Sequence, residues 1–161
     1  MSKLTHLDES GRARMVDVSG KAATARAATA QGTLTCSSET LDQVRAGAAP
    51  KGSVIRTAEL AGIMGAKRTA ELIPLCHPLP LTKVDVRIEI DDGLPGFLIN
   101  SEVRTNGVTG VEMEALTAVS IAGLTLFDML KAIDRTMIIG GIEVMTKSGG
   151  KSGDWQRSHS L

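Results

Sequence analysis

The chain has 161 residues, 42% of them hydrophobic and 2% aromatic, and its 18 Lys and Arg offset 18 Asp and Glu. That is enough apolar material for one folded core and excludes a disordered chain. Zero net charge and three aromatic side chains, Phe97, Phe127 and Trp155, argue against a nucleic-acid surface, which needs a field of cations and rings on which bases stack.

Residues 1–25 are polar, mix both charge signs, and read as an N-terminal arm rather than a signal peptide. The Thr-rich, alternating stretch 27–36 predicts a strand. Ser37 and Ser38 offer N-caps for a short helix over 39–46, closed by Gly47 and Pro50. From Ser53 to Glu71, Val54, Ala58, Ala61 and Met64 recur at helical spacing. Pro74, Pro78 and Pro80 then forbid regular structure over 74–80. In 83–90, Val84, Val86, Ile88 and Ile90 alternate with Lys83, Asp85, Arg87 and Glu89, so one face is buried and the other wet. Residues 91–96 turn the chain, and 97–105 run back as the second strand of a hairpin. A helix is expected over 109–134; it has no charge between Glu114 and Asp128, and a helix apolar all round demands cover on every side, in so small a domain from a neighbouring subunit. A strand over 137–146 and a flexible Gly/Lys-rich tail over 147–161 complete the chain. The order predicts a single α+β domain, a ferredoxin-like βαββαβ antiparallel sheet with helices packed on one face. The longest uncharged apolar run, 115–127, is too short to span a bilayer, so no membrane partner is expected and the chain reads as cytoplasmic. Cys36 and Cys76 make no disulfide scaffold, and the His and Cys spacings suit no zinc site.

His77 projects from a loop stiffened by proline. It either satisfies a loop carbonyl, its more ordinary role, or transfers protons near neutral pH. Glu112 and Glu114 suit the positive end of the long helix. Two residues apart, they point to nearly opposite sides, so at least one faces inward or across an interface and needs a partner such as a guanidine-like edge. Asp128 and Lys131 are three apart. They form either a surface ion pair of little consequence or, if buried, a coupled acid–base pair. Glu114 and Asp128 lie roughly 21 Å apart along one helix, so one small ligand reaches both only if two subunits share it. Lys51, Lys67, Lys147 and Lys151 are each ordinary surface cations taken singly, although Gly and Ser beside Lys147 and Lys151 can cradle phosphate.

Several strings then coincide. Met15-Val16-Asp17-Val18, Ala66-Lys67-Arg68-Thr69 with Leu72-Ile73-Pro74-Leu75-Cys76-His77-Pro78-Leu79, Thr109-Gly110-Val111-Glu112-Met113-Glu114-Ala115-Leu116-Thr117, Asp128-Met129 with Lys131-Ala132, and Lys147-Ser148-Gly149-Gly150-Lys151-Ser152-Gly153 resemble the cyclic pyranopterin monophosphate synthase family of molybdenum cofactor biosynthesis. The match runs in order over about residues 4–154. The resemblance implies a lyase that converts 3′,8-cyclo-7,8-dihydro-GTP to cyclic pyranopterin monophosphate and expels pyrophosphate. It further implies no redox cofactor, a ferredoxin-like fold, and a homohexamer built as a trimer of dimers with the active site at the dimer interface. By the same resemblance Asp128, Lys51 and Lys131 are catalytic. Leu75, Cys76, His77, Glu112, Met113, Glu114, Lys67, Lys147 and Arg26 bind substrate. Phe127 stands where that pattern has Tyr, and Val108 where a Lys often occurs. The rival readings are a ferredoxin-like small-ligand sensor, which would bind without conversion, and an RNA-recognition domain, which lacks the rings it would need.

Overall fold

The computed structural model describes residues 5–49 and 53–158. Thr24–Thr35 forms strand β1, whose alternate residues Ala28, Ala30 and Leu34 are buried, the period-two signature of a half-buried strand. Ser38–Arg45 forms α1. Its N-cap is Ser37, whose hydroxyl accepts the Thr40 N–H at 3.2 Å, satisfying one donor left open at a helix start. Val54–Lys67 is α2 and Thr69–Leu72 a single turn, α3. The one helix expected over 53–71 is thus broken at Arg68, whose φ of −110° and ψ of 12° leave the helical region. The Thr69 hydroxyl secures the break by bonding the Ala66 carbonyl at 2.9 Å. Leu81–Asp91 and Gly96–Gly107 form the hairpin β2–β3, Glu112–Leu130 is α4, Ile138–Ser148 is β4, and Trp155–Gln156 is β5.

The sheet runs in the order β2-β3-β1-β4-β5, and every neighbouring pair is antiparallel. Its first four strands, with helices on the two crossovers, make the expected ferredoxin-like βαββαβ arrangement. α4 lies across β1, β3 and β4, while α2 packs on β2 and against α4. Phe97, Ile99, Leu34, Leu126 and Leu130 are fully buried between these layers, each stabilising the fold by roughly 1.5–3 kcal/mol. The opposite face of the sheet carries ion pairs, among them Lys83–Glu102 at 2.8 Å and Arg87–Asp85 at 3.1 Å. The wet face read from 83–90 is therefore present.

With few bulky side chains, α2 and α4 approach closely through small ones. A Cβ at Gly62 would sit 2.8 Å from the Ala118 carbonyl oxygen and 3.2 Å from the Ala122 Cβ, so only glycine fits at this helix crossing.

Three expectations need correction. α4 spans Glu112–Leu130 rather than 109–134. Beyond it the chain turns, and Asp134 accepts hydrogen bonds from the Ser37 N–H, the Thr40 hydroxyl, and the N–H and hydroxyl of Thr136. A carboxylate so engaged ties the end of α4 to the start of α1 instead of extending the helix. The tail expected from residue 147 begins as β4, and the chain then doubles back so that Trp155 and Gln156 pair with Lys147 and Thr146. Gly149 makes that turn possible, with φ at +83° and room for no Cβ within 2.2 Å of the Ala25 carbonyl. Finally, the whole of α4, Glu112–Leu130, is long and apolar enough to cross a membrane by length and composition, because a longer window stays apolar on average although Glu114 and Asp128 flank the uncharged run 115–127. Here that apolar length packs on the sheet, with 56% of the segment buried.

Registry fixes two rims. Thr24 pairs with Gly107, Ala27 with Ser148 and Leu81 with Thr105, so the start of β1, the ends of β3 and β4 and the start of β2 lie together. The N-terminus of α4, five residues after β3, belongs to the same rim, as do the C-terminus of α2 and the 73–80 loop. Thr35 pairs with Gly96 and Ile138, so the opposite rim carries the hairpin turn and, through Asp134, the C-terminus of α4.

Candidate functional site

The first rim collects most of the predicted binding residues. Glu112 opens α4 and forms an ion pair with Lys147 at 3.0 Å. Both side chains are about a quarter exposed (28% and 26%), where such a pair holds its geometry better than at the surface. Lys147 Nζ also donates to the Ser152 hydroxyl at 3.1 Å. Arg26, on the neighbouring strand β1, donates from Nε to the Gly107 carbonyl at 3.1 Å and from Nη2 to the Val108 carbonyl at 3.3 Å. Val108 therefore serves through its backbone, whatever its side chain.

Glu114 is the site's most strained group electrostatically. It is 4% exposed, and its Oε2 has no hydrogen-bond partner among the described residues. Burial, and secondarily the charge on Glu112, push its carboxyl up to about 7. The expectation that one of the two glutamates faces inward holds: Glu114 does. An unpaired buried carboxylate oxygen destabilises the fold, so its presence points to a ligand donor. Cys76 lies close by. Burial, then the Glu114 charge, raise its thiol, which suits a neutral lining group and not a thiolate nucleophile.

His77 bonds a carbonyl, but one of the N-terminal arm. Its Nε2 lies 2.7 Å from the Val16 oxygen. A carbonyl only accepts, so Nε2 carries the proton and Nδ1 is left for a ligand. Leu75, Cys76 and His77 are all half-buried in this loop, and Met113 is exposed beside Glu114. Lys67 stands exposed at the C-terminus of α2, on the same rim.

Two of the predicted catalytic residues lie elsewhere. Asp128 and Lys131 sit at the other end of α4, bonded at 2.7 Å, with side chains 54% and 55% exposed. They are a surface pair within one chain, not the buried pair that an apolar setting would give, because position 128 faces outward next to exposed Leu124 rather than toward the sheet. Fourteen residues of helix separate Asp128 from Glu114, roughly 21 Å at 1.5 Å per residue. Lys51 lies outside the described residues. Phe127 packs half-buried against the core.

Sequence reasoning missed the Val16 carbonyl, since no residue type announces a backbone acceptor 61 positions away. It also missed Lys21, which shares a cleft with Arg26 and Lys151; nothing in a polar arm singles out one lysine. Among the described residues, no three His, Cys, Asp or Glu side chains converge as a metal ion would require.

Comparison with known proteins agrees with the resemblance read from the strings above. The chain is 60% identical to the cyclic pyranopterin monophosphate synthase of Cereibacter sphaeroides over 158 residues, covering 98% of this chain and 99% of that one. It is 61% identical to the protein of that name from a Methylobacterium species over 155 residues, 96% and 97% of the two chains. With its namesake from Brucella ovis it shares 60% over 153 residues, 95% and 93% of the two. Residues 15–150 match the model of the MoaC family, and that span holds Glu112, Glu114, Asp128 and Lys147 alike: the chain belongs to the MoaC family.

Proposed function

We propose that this chain is a cytoplasmic cyclic pyranopterin monophosphate synthase, a lyase converting 3′,8-cyclo-7,8-dihydro-GTP to cyclic pyranopterin monophosphate with loss of pyrophosphate. The observation that carries the reading is the buried Oε2 of Glu114, without a partner among the described residues, beside a rim of cations. Such a rim suits a ligand with N–H donors at one end and phosphates at the other. Near-full-length identity to proteins of that name supports the same conclusion.

In this reading Glu114 accepts N–H groups of the guanine-derived ring, with Leu75, Cys76 and Met113 against its edge. The His77 Nδ1 turns toward the substrate. Lys67, Lys147 and Arg26 bind phosphate oxygens through charge-assisted hydrogen bonds and offset the charge that builds as pyrophosphate leaves. Lys51, Asp128 and Lys131 move protons during ring opening and reclosure. Because Asp128 and Glu114 lie at opposite ends of α4, the active site is completed by a second copy, at a dimer interface within a homohexamer. Exposed Leu124 beside Asp128 and exposed Leu60 and Met64 on α2 supply apolar surface for subunit contact.

The test is turnover. The purified chain, given enzymatically prepared 3′,8-cyclo-7,8-dihydro-GTP, should release pyrophosphate and an oxidisable pterin in equal amounts. Tight binding without conversion would establish the sensor alternative and overturn the proposal.

A further inference from the structure

Strand β3 faces the helices with Phe97, Ile99, Ser101, Val103 and Thr105, all of them buried. Only Ser101 and Thr105 among these are polar. A buried hydroxyl opposes folding unless it is bonded, and each of these two bonds the backbone of a different segment of the site. Ser101 Oγ donates to the Ala115 carbonyl at 2.8 Å. Thr105 Oγ1 donates to the Pro80 carbonyl at 2.8 Å. Ala115 follows Glu114 in α4, and Pro80 ends the loop that carries Leu75, Cys76 and His77.

Local structure leaves both segments in need of such a tie. α4 starts with no side-chain hydrogen bond from its N-cap, Val111. Pro74, Pro78 and Pro80 bring no N–H, so the loop cannot pair as a strand. Within it the Cys76 N–H bonds the Ile73 carbonyl at 3.1 Å, and its exit is held by Thr105. Strand and loop meet there at close quarters. A Cβ at Gly107 would lie 3.1 Å from Thr105 Oγ1 and 3.3 Å from Leu79 Cδ2. The ladder shifts register between Leu81 and Lys83, so strand pairing alone does not set where the loop leaves the sheet. Positions 101 and 105 are roughly 14 Å apart along one strand. β3 is paired on both sides, which makes it a stiff bar between the two ties.

We infer that Ser101 and Thr105 are positioning residues: their hydroxyls hold the Glu114 end of α4 and the Leu75–His77 loop at a fixed separation on β3, and so set the width of the gap that takes the ligand's ring. The charge of Glu114 reaches the Cys76 thiol, as it does only between segments held close. The identity of the ring rests on the proposed synthase reading, but the clamp itself does not. A hydroxyl that served stability alone could be replaced by a methyl with no effect on what the gap binds.

Steady-state kinetics of the full chain on 3′,8-cyclo-7,8-dihydro-GTP test this with Thr105→Val, which keeps the side-chain shape and removes the hydroxyl, and Thr105→Ser, which restores it. Thr105→Val should raise KM about tenfold, the equivalent of one hydrogen bond. Its kcat should stay within about threefold, because the loop and Glu114 bind the ring and do not move its protons. Thr105→Ser should stay within about twofold of the parent in both. Ser101→Ala removes the other tie without adding bulk; it should raise KM in the same way, and it carries the same test if Thr105→Val does not fold. A second readout needs no turnover. In a Cys36→Ala background, which removes the one other cysteine, iodoacetamide should alkylate Cys76 at pH 8 about threefold faster in Thr105→Val, as the thiol leaves its buried place beside Glu114 and ionises more readily. Thr105→Ser should match the parent. Either a KM within about twofold of the parent or an unchanged alkylation rate in Thr105→Val would overturn the inference. Failure of the synthase reading looks different. A parent that forms no pterin, with alkylation faster in Thr105→Val and not in Thr105→Ser, would remove the synthase and leave the clamp. A parent that turns over, with KM and alkylation both unchanged in Thr105→Val, would remove the clamp and leave the synthase.

Discussion

Replacing Glu114 by Gln should make the protein more stable and less useful. Raising a buried carboxyl from 4.5 to about 7 withholds about 3 kcal/mol from the folded state once the group ionises, at about 1.4 kcal/mol per pH unit. Below pH 4.5 the group is neutral whether folded or not, and the penalty is absent. It grows as pH rises to 7 and is constant above. Gln has nearly the same shape and never ionises, but it leaves an amide unpaired, which returns about 1 kcal/mol. Urea unfolding of the parent and the variant at one fixed protein concentration should therefore show Glu114→Gln ahead by about 2 kcal/mol at pH 8. At pH 4.5 it should be level or slightly behind. A ligand that donates N–H groups to Glu114 binds the ionised form, so its affinity for the parent should rise from pH 6 to about 7 and then level. The variant should bind it weakly at every pH. A stability difference that stays constant from pH 4.5 to 8 would refute the reasoning, since only ionisation of this one carboxyl makes it vary.

Asp134 behaves in the opposite sense. Its four hydrogen bonds, first that from the Thr136 hydroxyl, hold its carboxyl down to about 2 from 3.8. The stabilisation is complete above pH 3.8 and is lost as pH falls through 2. Asp134→Asn should cost about 1–2 kcal/mol at pH 7, allowing for solvent screening at this rim, and much less at pH 2, by thermal unfolding. Co-refolding Lys147→Ala chains with Lys131→Ala chains should restore about a quarter of parental turnover, because half the dimers are mixed and each has one intact site. No recovery from two inactive parents would place the whole site within one chain. Gly62→Val should destabilise by about 1–3 kcal/mol through overpacking against Ala118 and Ala122, measured by denaturant midpoint.

Much of the fold was legible because its signals are local. The alternation in 83–90 needs nothing beyond the strand itself, and α4 declares itself by 13 uncharged positions between two acids. The ferredoxin-like arrangement followed from the order of elements along the chain, which matches the βαββαβ pattern. What escaped depends on partners distant along the chain. β5 is two residues long and exists because a glycine turn returns it to β4. Helix α2 ends at Arg68 although the apolar spacing continues past it, because the decision is made by backbone geometry at one residue. In the site, the spacing of Glu112 and Glu114 showed that at least one faces inward or across an interface but not which, and of the two readings of Asp128 and Lys131 the single chain shows the surface pair. An apolar neighbourhood in sequence includes residues on the outside of a helix as well as the inside, and 128 is one of the former.

The chain's only tryptophan sits in β5, paired through its backbone with Lys147 and overlaid at 5.6 Å by the Arg157 guanidinium. All the tryptophan emission of this protein therefore originates one residue-pair from the proposed phosphate-binding lysine, with no second emitter to average over. Ultraviolet fluorescence of the unlabelled chain is thus a single-point optical probe of the β4–β5 ribbon. Its colour follows docking or peeling of that ribbon while the core remains spectroscopically silent.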